Sequence, residues 1–173
     1  MKNLFKFSFF TFIFSTLLSC SNSSKQEIKI ESEFSVFLSS NFFPEKDSSL
    51  RAAMHYSDSM RNISFIVISE SKDSMTAYGL EYNLKKYFDK TSKSLMSKLQ
   101  NSGMNISYPD TINGKNAMLG NIKGESQGEK LFYRLIVIET QKNFYQLIWA
   151  MLGESPGRYE TEMNECIYSF KEL

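Results

Sequence analysis

The chain has 173 residues, and its 20 lysines and arginines against 19 aspartates and glutamates leave a formal charge of +1. Without Lys2 and Lys6 of the N-terminal apolar run, 18 basic residues face 19 acidic ones, a balance that argues against nucleic acid and against an electrostatic membrane patch. One histidine and two cysteines are too few for a His/Cys zinc cluster or a disulfide framework. The first element is the run from Leu4 to Leu18, broken only by small or single polar residues. It is too short to cross about 30 Å of hydrocarbon as a helix, which takes about 20 residues, and has instead the length of a signal-peptide core, about 7–15 residues. Ser19 and Cys20 close it. The tract Ser21 to Gln26 is small and polar, which suits a flexible tether. The expected organisation is a signal over 1–19, a tether over 20–32 and one domain over 33–173, long enough for its own core.

Phe34 to Leu38 alternates and predicts a first strand, stopped by Ser39-Ser40-Asn41. Leu50 to Tyr56 predicts a second strand and Asn62 to Glu70 a third, β-branched and well buried, with Ser57 to Arg61 as the turn between them. The period then changes. Leu80, Leu84, Tyr87, Phe88, Thr91, Leu95 and Leu99 recur at three and four while Lys85, Lys86, Lys90 and Lys93 lie mostly off that stripe. One long amphipathic helix is expected from near Thr76 to before Gly103, with glycine at its C′ position.

The second half reads as a meander. Met104 to Ile112 is a strand that Pro109 assigns to an edge. Asn113-Gly114 is the strongest short hairpin signal in the chain. Strands follow over Asn116 to Glu125, Lys130 to Thr140 and Phe144 to Met151, with Gly120 and Gly124 marking a bend or a close approach. Tyr159, Met163, Cys166, Ile167 and Phe170 then fall on one face of a C-terminal helix.

Two serine motifs match the nucleophile elbow, Gly124-Glu125-Ser126-Gln127-Gly128 and Gly153-Glu154-Ser155-Pro156-Gly157. The elbow needs a strand-to-helix turn, and its oxyanion hole uses the N–H of the residue after the serine. Ser126 falls within a hairpin. Ser155 is followed by Pro156, which has no N–H, and His55 precedes both serines, against the hydrolase order. Ser155 is read as the N-cap of the last helix. Cys166, alone on an apolar face, reads as a small hydrophobe, and Asp58, Glu70 and Asp73 as solvated charges. No catalytic residue, metal site or cofactor is expected, and no binding residue is assigned.

Leu17-Leu18-Ser19-Cys20 resembles the lipobox of bacterial lipoproteins, which implies acylation of Cys20 and a membrane anchor without a spanning helix; the alternative is an ordinary signal cleaved before a structural cysteine. The order of pieces from Glu33 to Leu173 resembles the PsbP-like superfamily and within it the DcrB-like bacterial lipoproteins. Those pieces are Phe34 to Leu38 with Asn41-Phe42, Ile63 to Ser69, the helix, Ile112 to Ala117, Asn143 to Trp149 and Ile167 to Lys171. Family members often carry proline directly after the first strand, where this chain has Ser39. The resemblance implies an α+β fold, an α/β/α sandwich with a central antiparallel sheet of about six to seven strands, and no catalytic residues. The expected protein is a non-enzymatic lipoprotein of the bacterial cell envelope, facing the periplasm and bound to the membrane through Cys20, that binds or assembles an envelope protein. The alternatives are an immunity or inhibitor lipoprotein that neutralises a toxic enzyme, and an enzyme with a dispersed site.

Overall fold

The computed structural model describes residues 24–46 and 51–173. Its centre is a seven-stranded antiparallel sheet in the order β3-β4-β5-β9-β8-β7-β6. The strands are β3 (Phe43–Pro44), β4 (Met54–Asp58), β5 (Ile63–Ser71), β6 (Gln100–Ile112), β7 (Lys115–Ser126), β8 (Glu129–Glu139) and β9 (Asn143–Leu152). A smaller antiparallel sheet holds β1 (Lys25–Ile30), β2 (Phe34–Ser39) and β10 (Lys171–Glu172), in the order β1-β2-β10.

Alternation along the central strands sorts the core into two layers. On β9, Tyr145, Leu147, Trp149 and Met151 join one cluster with Phe34, Val36 and Leu38 of β2 and with Met163, Cys166 and Ile167 of α3 (Glu160–Ser169). Phe144 and Ile148 face the other way, with Leu135 and Val137 of β8, against Met75 of α1 (Lys72–Ala77) and Tyr87 and Phe88 of α2 (Leu84–Met96). The expected sandwich with a central antiparallel sheet is therefore what forms. The hairpins follow their turn chemistry: Asn113 and Gly114 have φ of 47° and 77°, and Gln127 and Gly128 have 53° and 83°, the paired positive values of a type I′ turn. Strand β6 is an edge, as Pro109 requires.

The long middle helix forms as α2, but it begins at Leu84 and not near Thr76, because the short helix α1 ends ahead of it. Gly79, at φ +72°, ends α1: its N–H donates to Thr76 O at 2.9 Å and the Leu80 N–H donates to Met75 O at 3.0 Å, the Schellman pattern. Asn83 restarts the chain as a helix by accepting the Lys86 N–H on Oδ1 at 2.9 Å. Leu80 stands four residues before Leu84 and so extends the helical stripe in sequence, but it lies in the non-helical connection and is exposed, while Tyr82 of that connection packs on the α2 layer. Gly103 is not a helix cap either; α2 stops at Met96 and Gly103 lies within β6.

Residues 25–30, expected within the tether, form β1 and pair along the whole of β2. Gln26, Ile28 and Ile30 alternate with exposed polar residues, so this strand half-buries one side. The second strand runs over Met54–Asp58, so Ser57 and Asp58 belong to it and not to the turn.

Candidate functional site

A groove of about 530 Å³ lies between β2 and α3. Its geometry follows from the small sheet. Strand β10 is two residues long and pairs only with Phe34 and Ser35. From Val36 onward α3, not a strand, stands beside β2, and the Phe37 N–H donates to Ser169 Oγ at 2.8 Å. Phe37 points out of β2 with 44 % of its surface exposed, and Tyr168 lines the groove with 45 % exposed. Leu38 and Cys166 line it as well, and Lys25 pairs with Glu165 at 3.0 Å at its rim.

Polar groups around the groove are committed to the scaffold. The Tyr168 hydroxyl donates to the Asp110 carboxylate of β6, and that hydrogen bond, reinforced by burial, pushes the phenol up to about 12. The Arg61 guanidinium donates from Nη1 and Nη2 to Glu162 at 2.6 and 3.0 Å and from Nε to Asp58 at 2.5 Å. The rings of Phe42 and Tyr159 each lie 5.4 Å from it. Arg134, almost fully buried, donates to Asn121, Asn164 and Glu160 at 3.0, 2.8 and 2.8 Å. These fork-shaped contacts clamp α3 to the sheet. Asp58 is thus a buried ion-pair partner and not the solvated charge its sequence context implies.

The residues examined as catalytic candidates are scattered. Burial raises the Cys166 thiol well above its ordinary value, which disfavours the nucleophilic thiolate. His55 sits on β4 with a buried Nδ1 that has no partner among the described residues, and it does not line the groove. Ser126 ends β7 at a hairpin, as expected. Ser155 corrects its expected role: it is exposed, α3 begins after a 3₁₀ turn over Gly157–Tyr159, and the first residues of neither helix have a side-chain cap. Buried Pro156 sets φ at −65° for that turn, so chain stiffness replaces the missing cap. Among the described residues no three His, Cys, Asp or Glu side chains gather as a metal site, and no helix is long and apolar enough to cross a membrane. Cys20 lies outside the described residues. Phe37 and Tyr168 are the groove residues that sequence reasoning missed; an apolar side chain on the outward side of β2 was the available signal.

No family model matches the chain, and no curated protein matches it. Solved structures do. Cyanobacterial PsbP from Synechocystis sp. PCC 6803 superposes with a TM-score of 0.60 at 11 % identity, over 90 % of this chain and 96 % of that one. LpqN of Mycobacterium tuberculosis, involved in cell envelope biogenesis, gives 0.58 at 12 % identity over 87 % and 91 %. The Saccharomyces cerevisiae Ran-binding protein Mog1p gives 0.57 at 10 % identity over 86 % and 95 %. The chain has the PsbP-like fold. At these identities the likeness concerns the fold alone.

Proposed function

We propose that this protein is a non-enzymatic lipoprotein of the bacterial cell envelope, tethered through acylated Cys20, that binds or assembles a protein partner through the β2–α3 groove. The observation that carries the reading is the groove itself: an apolar slot with Phe37 and Tyr168 exposed on it, and surrounding charges already neutralised by one another. Its volume falls within the range of about 300–1,000 Å³ common to binding clefts. Exposed aromatic side chains beside an apolar slot are the composition of a binding anchor. Lys25, on the rim, follows Cys20 by five residues, so even a fully extended chain puts Lys25 within about 18 Å of the anchor. A partner there is one presented close to the bilayer. LpqN, with the same fold, is involved in cell envelope biogenesis, which agrees with an envelope setting.

The test is a photo-crosslinking phenylalanine analogue placed at Phe37 or at Tyr168 in the intact chain in its own cells. Discrete adducts to one protein from both positions, and none from an analogue at Met60 on the β4–β5 turn, are expected. Absence of any groove adduct would withdraw the groove as the binding site. If the captured protein is a secreted toxic enzyme, the immunity reading replaces the assembly reading.

A further inference from the structure

The layer formed by α1, the Tyr78–Asn83 connection and α2 lies across the central sheet from β2, α3 and the groove. Near-neutrality of the whole chain hides a segregation there. Residues 72–98 carry six lysines against Asp73, Glu81 and Asp89, a net of +3 in sequence, and the remaining residues from Cys20 onward carry twelve basic against sixteen acidic groups, a net of −4. Lys72 is paired with Glu139 of β8 at 2.7 Å, so the free positive charge of the layer lies on α2 and Lys98. On α2 itself Lys86, Lys90 and Lys93 recur at i, i+4 and i+7, all exposed, and Lys98 extends the row past the helix end. Of these lysines and Lys85, only Lys85 makes an ion pair among the described residues, with Asp89 at 2.8 Å. The row is flanked by apolar surface: Tyr78 is 84 % exposed and Leu80 40 % exposed in the connection, and Lys90 Nζ rests 4.9 Å from the centre of the Tyr82 ring.

We infer that this layer is a second interaction surface, and that its partner is an acidic protein face offering an apolar contact for Tyr78 and Leu80. Charge complementarity selects an anionic partner. The interspersed acids Asp73 and Glu81, both exposed, select a shaped one: a folded protein can set basic groups opposite them, whereas a uniformly anionic bilayer repels them. Placement agrees, and this step rests on the tethering proposed above. Strand β1, where the chain from Cys20 enters, belongs to the opposite layer, so the lysine row is presented away from the anchoring membrane.

The experiment places the photo-crosslinking analogue at Tyr78 in the full chain in its own cells, alone and combined with Lys86→Glu/Lys93→Glu. Both lysines are exposed, and neither side chain has an ion pair or hydrogen bond among the described residues, so the charge reversal leaves the fold intact; unchanged thermal melting checks this. The expected result is a protein adduct whose crosslinked peptide lies beside clustered Asp and Glu. Its yield should fall several-fold on charge reversal and on raising salt, while Lys29→Glu/Lys130→Glu leaves it unchanged. No adduct, a lipid adduct, an adduct lacking nearby acidic residues, or one indifferent to the charge reversal would each overturn the inference. Adducts from Phe37 and Tyr168 report on the groove separately, so either surface can fail without the other.

Discussion

Trp149 has none of its surface exposed and sits on β9 between the rings of Phe42 and Phe65, with centroids 5.4 and 5.1 Å away, beneath Met163 and Ile167 of α3. Burial on the α3 layer makes it core rather than interface. Trp149→Ala should cost about 3–5 kcal/mol, the usual range for a buried large aromatic; denaturant unfolding checks it. Among the described residues the indole N–H has no oxygen or nitrogen acceptor and faces only the weakly accepting Cys166 thiol, so Trp149→Phe forfeits mainly volume and should cost less. Gly124 is the mirror case. A Cβ there would meet Leu99 Cβ at 2.7 Å and Gln100 O at 3.1 Å, and neither atom is the far end of a flexible side chain. Gly124→Ala should therefore destabilise by about 1–3 kcal/mol through overpacking. Gly103→Ala, with nothing within 4 Å, serves as the control.

At the scale of elements, α3 depends less on its own ends than on the clamps beneath it. Arg61 ties the β4–β5 turn to Glu162, and its loss leaves Asp58 buried without a cation. Arg61→Ala should cost on the order of 3 kcal/mol and loosen α3, read as lowered melting and faster amide exchange over Glu160–Ser169. The Tyr168–Asp110 bond joins the end of α3 to edge strand β6 and has a pH signature. Its folded phenol titrates at about 12 against an ordinary 10, so the folded state holds the proton more tightly. That contribution is fully present below about pH 10 and is lost as pH rises toward 12. Burial also raises Tyr87, Tyr133 and Tyr145, so the late phenolate signal should be isolated as the difference between wild type and Tyr168→Phe. A difference spectrum titrating near 10 would show that the bond is not held in solution.

For the whole molecule, the anchoring proposal predicts that Cys20→Ser releases the protein from the membrane fraction or leaves an unprocessed precursor. A clickable fatty-acid analogue should label the wild type only, and a labelled Cys20→Ser variant would refute acylation at that residue. The apolar groove and the lysine row lie on opposite sides of the central sheet, so the two proposed surfaces can be tested independently.

Much of this architecture was legible in residue order. Strong periodicity located β5, β7, β8, β9 and the buried face of α3, because each of these elements buries a full side and must repeat its apolar residues at 2 or 3.6. Asn113-Gly114 announced its hairpin because few other pairs accept two positive φ values in succession. Local pattern failed where a non-local partner decided. Lys25 to Ile30 has too little apolar content to mark a strand and becomes one by pairing with β2. The helical spacing from Leu80 onward placed the helix start near Thr76, yet the helix begins only at Leu84, because Gly79 at φ +72° closes α1 and Asn83 caps a new start. Sequence by itself determined the composition of the core, the turn chemistry, the lack of a base following either serine and the lipobox pattern at Cys20. Tertiary structure alone decided which polar groups are neutralised in pairs and that α3 stands beside β2 to open a groove. The reason is physical: periodicity reports which residues leave water, whereas a site is made by residues far apart in the chain, and only packing brings Phe37 beside Ser169 or Arg61 beside Glu162.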